Sequence, residues 1–235
     1  MTGAARTITF ANGTGGRCLA SLLVPDEPGD AAVIISHGGT ADGRRFFMEE
    51  ARDLARRGVT VLLPVSEFPE HGDAQASEAA VRRSVIAHRR GLDVLTTVAA
   101  EPPRRLYYFG HSGGSVAGAI LSAVEPRLTG VVIAGLGDGT VLRHAAAGLP
   151  PGPATDDYLR RLRRFEPVGY VSVPGPRQLL FQYGTRDDAV LRSEAVALYE
   201  AAAAPKEWRE YDCGHDTDNA DARADRARLY TGRSS

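Results

Sequence analysis

Four short, nearly unbroken apolar runs, Ala31–Ile35, Val59–Pro64, Leu106–Phe109 and Val131–Ala134, alternate with stretches whose apolar residues recur at helical spacing. A strand that is apolar at successive positions has no face for water, so it must be covered by helices on both sides, which is the condition of strands in a mostly parallel sheet. The spacing predicts helices over Arg44–Arg57 (Phe47, Ala51, Leu54), over Ser77–Val98 (Val81, Val85, Ile86, Leu92, Leu95) and from about Gly113 to Val124. Gln178–Tyr183 and Trp208–Tyr211 read as two further strands, with Ala189–Ala204 as the helix between them. Ahead of this alternation, Arg6–Phe10 and Cys18–Val24 are joined through Asn12, Gly13, Gly15 and Gly16, the composition of an antiparallel hairpin. The expected fold is α/β: a mostly parallel central sheet with an N-terminal antiparallel hairpin and helices on both faces.

One stretch, 137–176, is too long for a simple crossover and holds Gly148, Pro150, Pro151 and Pro153 before a helix-like Asp156–Phe165. It is expected to form a short lid-like excursion over one end of the sheet. With 235 residues, the chain is expected to be one domain, 1–235. The 28 Lys and Arg balance 29 Asp and Glu, so no overall field draws the protein to nucleic acid or to an acidic membrane. No segment approaches the run of about 18 apolar residues that spans a bilayer. Met1–Phe10 lacks the apolar core of a secretory signal, and a cytoplasmic location is expected. Cys18 and Cys213 fit no metal-ligand or redox spacing and are read as reduced structural thiols, with a small redox role open for Cys213 beside His215. The sequence sets no oligomeric state.

The chemistry concentrates where the apolar strand Tyr107-Tyr108-Phe109 runs into Gly110-His111-Ser112-Gly113-Gly114 and then into a small-residue helix. A serine on such a strand-to-helix turn sits in a strained backbone, and its neighbours must lack side chains for the chain to pass closely. A serine hydroxyl is a poor nucleophile at neutral pH and needs a base, which in turn needs a partner to fix its tautomer. Asp187, in Gly184-Thr185-Arg186-Asp187-Asp188, and His215, in Cys213-Gly214-His215, each follow an apolar strand. Strand carboxyl ends share one rim in an open α/β sheet, so Ser112, Asp187 and His215 are expected to meet there. Ser36-His37-Gly38-Gly39-Thr40 offers an oxyanion loop. The donors expected are the backbone amides of Gly39 and Gly113, with Thr40 as the alternative to Gly39. His37 is expected to brace that loop by hydrogen bonding.

These motifs resemble the α/β-hydrolase superfamily over nearly the full chain. Within it, the His37-Gly38-Gly39 loop, Gly110-His111-Ser112-Gly113-Gly114 and Gly184-x-x-Asp187-x-x-Val190 followed by Gly214-His215 are most similar to small-lid, dienelactone-hydrolase-like and peptidase-like serine esterases. The resemblance implies a nucleophilic Ser112, an acid in Asp187, a general base in His215, and hydrolysis with neither a metal nor an organic cofactor. The sequence departs from relatives with three loop glycines at Thr40, carries a second carboxylate, Asp188, able to exchange roles with Asp187, and lacks an Asp often found after Pro64.

Gly135-Leu136-Gly137-Asp138-Gly139-Thr140 mimics a dinucleotide loop but lacks its third glycine. The six histidines show no metal-ligand spacing. The expected activity is cleavage of a carboxylic ester of a small or medium acyl substrate. A thioesterase or acyltransferase using Arg160, Arg161, Arg163 and Arg164 to dock a carrier- or coenzyme A-linked acyl group is the alternative, and a catalytically inactive binding module is a third.

Overall fold

The computed structural model of the protein describes residues 4–39, 42–67, 71–99, 101–175 and 177–232. Eight strands, β1 (Arg6–Ala11), β2 (Arg17–Leu23), β3 (Ala31–Ser36), β4 (Thr60–Pro64), β5 (Arg105–His111), β6 (Leu128–Ala134), β7 (Gln178–Gly184) and β8 (Lys206–Tyr211), form one sheet in the order β1-β2-β4-β3-β5-β6-β7-β8. The hairpin is antiparallel, and β2 also pairs antiparallel with β4. From β4 to β8 every pairing is parallel. The strand ends of this parallel part therefore lie on one rim.

Alternation along the buried strands divides the core in two. Ile34, Tyr108, Val131 and Ile133 face α2 (Ala74–Leu95) and α3 (Gly113–Val124), while Val33, Ile35, Phe109 and Val132 face α1 (Met48–Arg56). Both faces are covered, which is why β3 through β6 have no polar stripe.

Helix boundaries differ from the periodicity where local hydrogen bonds intervene. Residues 44–47 are turns, the Phe46 amide donating to the Gly43 carbonyl at 3.0 Å, so α1 begins at Met48. Asp73 caps α2 by accepting from the Ala76 amide, starting that helix at Ala74, ahead of Ser77. The expected excursion folds into α4 (Thr140–Ala146), α5 (Pro153–Leu162), a 3₁₀ turn (Arg163–Phe165) and α6 (Val168–Val171). The helix after β7, α7, covers only Arg192–Ala201, because the Asp187 carboxylate ties up the amides of Ala189 and Val190 in a turn.

A final helix, α8 (Ala220–Thr231), has no counterpart in the apolar pattern. It is defined at its ends by the Asn219 side chain, which accepts from the Ala222 amide at 2.8 Å, and by the left-handed Gly232. Its buried face includes Arg226 beside Ala222, Ala227 and Tyr230, so a search for hydrophobic periodicity passes over it.

No helix among the described residues is long and apolar enough to cross a membrane. Both cysteines are free and buried, and burial pushes the Cys18 thiol up to about 11 and raises that of Cys213 as well. Neither has thiolate character at neutral pH.

Candidate active site

Strand β5 ends at His111, α3 begins at Gly113, and Ser112 between them holds φ 53°, ψ −120°. Such a backbone costs a non-glycine residue about 1–3 kcal/mol and persists only where surrounding contacts impose it. Here the Ser112 amide donates to the Ala134 carbonyl at 2.9 Å, and the Ser115 hydroxyl bridges the Gly110 and Ala134 carbonyls at 2.6 and 2.8 Å. A Cβ at Gly110 would lie 2.5 Å from the Gly114 oxygen, and one at Gly114 would lie 2.3 Å from the Ser36 oxygen. The two glycines of the motif are thus demanded by close backbone passage.

The loops after β7 and β8 bring a carboxylate to an imidazole. His215 Nδ1 lies 2.9 and 3.0 Å from the two oxygens of Asp187, whose side chain is fully buried. A carboxylate only accepts, so Nδ1 carries a ring proton, and in the neutral imidazole Nε2 is the atom left to accept. Asp187 also accepts from the amides of Ala189 and Val190, both at 2.9 Å. Burial alone would raise its pKa, but the bonds from His215 and these amides outweigh burial and hold the carboxyl below its ordinary value. Asp187, and not Asp188, occupies the position beside the ring.

The imidazole lies against the serine turn. A Cβ at Gly135 would come 2.9 Å from His215 Cε1, and Gly135 directly follows the carbonyl that receives the Ser112 amide. The hydrogen bonds of the ring go to Asp187, and among the described residues none joins it to the Ser112 hydroxyl. Such contacts commonly close only when substrate is bound.

His111, the variable residue of the serine motif, holds the His215 loop. Its Nε2 donates to the His215 carbonyl at 2.8 Å, and its ring stacks on Phe46 at 5.8 Å. Burial, with His215 and Arg226 nearby, pushes its pKa down from 6.5 to about 4, against the raising influence of the His215 carbonyl and Asp216. Between those values the unfolded chain binds a proton that the folded chain refuses, so this group makes stability fall as pH drops from 6.5 towards 4 and recover as pH rises. His111→Gln keeps a donor but does not titrate. Urea unfolding at pH 7 and 4.5 is expected to show the wild type losing about 2 kcal/mol more than the variant; equal losses would rule out a buried neutral His111.

The loop after β3 packs on the same turn. A Cβ at Gly38 would lie 2.2 Å from the Gly113 nitrogen and 2.8 Å from Ser112 Cβ, and Gly39 has φ +82°. His37 braces the loop as expected: Nε2 accepts from the Gly43 amide at 2.7 Å, which leaves Nδ1 to donate to the Gly38 carbonyl at 3.2 Å. Thr40, the alternative oxyanion donor, lies outside the described residues.

A cavity of about 260 Å³ opens beside Ser112 and Gly113, with Val81, Val116, Leu136, Tyr158 and Leu162 among its apolar walls. Helix α5 covers it and is pinned to α2 by Arg161, whose Nε lies 2.7 Å from Glu78. Gly135 and Gly137, which imitate a dinucleotide loop in sequence, serve packing instead: the former abuts His215 and a Cβ at the latter would meet Glu194 at 2.6 Å. Among the described residues no group of three or more His, Cys, Asp or Glu side chains is placed to hold a metal ion.

No protein-family model matches the chain, and no curated protein matches it in sequence. Solved structures do match in shape. The esterase domain of a Rhodothermus marinus protein superposes with TM-score 0.67 at 22% identity, over 97% of this chain and 97% of that one. Acetyl xylan esterase 1 from Thermoanaerobacterium sp. JW/SL YS485 gives 0.70 at 17% identity, covering 98% of this chain and 83% of that one. A cold-adapted esterase from an Arctic intertidal metagenomic library gives 0.70 at 15%, covering 100% and 96%. With its antiparallel hairpin, parallel sheet and strand-to-helix serine turn, the chain has the α/β-hydrolase fold.

Proposed function

We propose that the protein is a serine hydrolase that cleaves carboxylic esters of small or medium acyl substrates through a covalent acyl-enzyme. The observation that carries this reading is the buried Asp187 gripping His215 Nδ1 through both oxygens, with the ring against the turn that holds Ser112 in a strained conformation. Ser112 Oγ attacks the ester carbonyl while His215 Nε2 takes its proton. Asp187 keeps the tautomer and stabilises the imidazolium. The Gly113 amide, at the first residue of α3, and the Gly39 amide receive the oxyanion, and the helix dipole favours the charge that develops there. The imidazolium then protonates the leaving alkoxide. In the second half, His215 activates water, which releases the acid and restores Ser112.

The three solved structures compared above are esterases, which supports esters as first substrates. The alternative, thioester hydrolysis or acyl transfer on a carrier- or coenzyme A-linked group, relies on the arginines of α5 and the turn after it. Arg161 is committed to Glu78 and Arg160 pairs with Asp157, so these cations are partly neutralised within the chain.

A fluorophosphonate probe tests the reading. It is expected to label the wild type at Ser112, with labelling abolished in Ser112→Ala and slowed at least 10²-fold in His215→Gln. A folded wild type that resists the probe and turns over no p-nitrophenyl ester would identify a binding module instead.

A further inference from the structure

Four buried side chains behind the serine turn form a hydrogen-bonded series that the proposed reaction leaves unused. Ser36 Oγ lies 2.9 Å from Ser66 Oγ, which lies 3.3 Å from His88 Nε2; His88 Nδ1 lies 3.0 Å from the Tyr108 hydroxyl, which donates to the Gly114 carbonyl at 3.1 Å. Ser36, His88 and Tyr108 are wholly inaccessible to bulk water, and Ser66 is 5% exposed.

The Tyr108 hydroxyl donates to the Gly114 carbonyl, and the direction of the other bonds follows from that one. The Tyr108 oxygen must then accept from His88, which places the ring proton on Nδ1. Burial pushes His88 down to about 3, so the ring is neutral and Nε2 is bare. Ser66 therefore donates to Nε2. Ser36 gives its proton to Ser66, or to the Tyr108 oxygen, which it also approaches. Both arrangements leave Ser36 and Ser66 with lone pairs and no free proton. Ser84 beside them is committed as well, donating to the Glu67 carbonyl at 3.2 Å and accepting from the Glu67 amide at 3.3 Å.

Ser36 and Ser66 line the same cavity as Ser112. A Cβ on Gly114 would lie 2.9 Å from Ser36 Oγ, so Ser36 abuts the residue after Gly113 and Ser66 lies one hydrogen bond further on. Among the described lining residues there is no Lys or Arg, and the two histidines that join the lining with His88, His71 and His144, are solvent-exposed. A carboxylate or phosphate placed deep in the cavity would face lone pairs. A plain alkyl group would leave them against hydrocarbon. A neutral hydrogen-bond donor satisfies both.

We propose that the natural substrate carries a hydroxyl on the portion that enters this cavity, close to the ester carbonyl, and that the Ser66 oxygen, held from behind by Ser36, receives it. This rests on the cavity being the site of ester cleavage described above. His88 and Tyr108 act as positioning residues: they hold the serine protons turned away from the cavity.

The test compares near-isosteric ester pairs on one protein preparation. p-Nitrophenyl 3-hydroxybutyrate against p-nitrophenyl 3-methylbutyrate places the hydroxyl on the acyl side. 2-Hydroxyethyl butyrate against propyl butyrate places it on the alcohol side. For one pair, kcat/KM is expected to favour the hydroxylated ester by about tenfold, the worth of one neutral hydrogen bond in a dry site. In Ser66→Ala that ratio falls to within about twofold of one, and Ser36→Ala provides a second variant should Ser66→Ala fold poorly. Because each ratio compares two substrates on the same molecules, loss of active protein does not alter it. Ratios near one for both pairs, or a preference that survives both substitutions, overturn the hydroxyl site while leaving ester hydrolysis standing. Absence of turnover on all four esters together with absence of fluorophosphonate labelling overturns the underlying reading and the hydroxyl site with it.

Discussion

Ser112→Ala is expected to lower kcat by about 10⁶ on any ester the protein hydrolyses, with the folded state retained. In the proposed reaction the nucleophile and base act as one unit, which sets the size of the loss. Without Oγ, the bare His215 Nε2 has no proton to take, and the Asp187 contact stabilises an imidazolium that never forms. What remains is the residual acceleration of about 10³–10⁴ over water that oxyanion donors and binding supply on their own. For the same reason, His215→Ala added to Ser112→Ala is expected to cost little more than the first substitution alone. Steady-state rates of the single and double variants check this. A Ser112→Ala protein that retains even one hundredth of wild-type kcat would remove the covalent route.

Glu50→Ala is expected to destabilise the fold by about 3–5 kcal/mol, the range found when one partner of a buried ion pair is deleted. Arg226 is wholly buried, and Glu50 is 3% exposed. The guanidinium makes two bonds to Glu50 at 2.6 and 2.8 Å, reaches Gln182 at 2.7 Å and the Thr217 carbonyl at 3.3 Å, and stands 4.4 Å from the centre of the Phe109 ring. It thereby joins α1, α8, β5 and β7 to the loop that bears His215. Thr217 itself has φ 46°, a conformation that needs external support. Burial acts to lower the Arg226 pKa, but Glu50 outweighs it, so the cation remains charged when folded. Take Glu50 away and that charge has no water and no counter-ion. In a chain of this size the loss corresponds to a Tm decrease of roughly 10 °C. The double variant Glu50→Leu/Arg226→Met, which removes both charges and refills the space, is expected to recover most of the loss. Urea midpoints of the single and double variants decide it: a Glu50→Ala protein within 1 kcal/mol of wild type would mean that water reaches the guanidinium.

How much of this was legible in the sequence depends on whether a feature is local. Strands β3 through β6 were legible because burial on both faces writes itself as apolar runs, and the serine turn because Gly110 and Gly114 must be glycine for steric reasons visible in one short segment. Asp187 and His215 are legible as residues just past strand ends, while the neighbouring Asp188, able in sequence to exchange roles with Asp187, is separated from it only by the carboxylate contact to the ring. Helix α8 was hidden because its buried face is anchored by Arg226, a residue that hydrophobic patterns count as solvent-facing. The early start of α2 depended on Asp73 acting as a cap, and the late start of α1 on turns organised around His37 and Gly43. His111 occupies a motif position that tolerates any side chain, so nothing marked its grip on the His215 carbonyl. The acceptor wall draws Ser36, Ser66, His88 and Tyr108 from four separate segments, and only the folded chain brings them together.

Acyl transfer through Ser112 is tested most directly by rapid-quench intact-mass spectrometry during turnover of a p-nitrophenyl ester. An early burst of nitrophenol is expected to accompany a transient mass increase equal to the acyl group, mapped to the peptide containing Ser112 and missing in Ser112→Ala. Hydrolysis that proceeds with the adduct on a different residue, or at undiminished rate in Ser112→Ala, would contradict it.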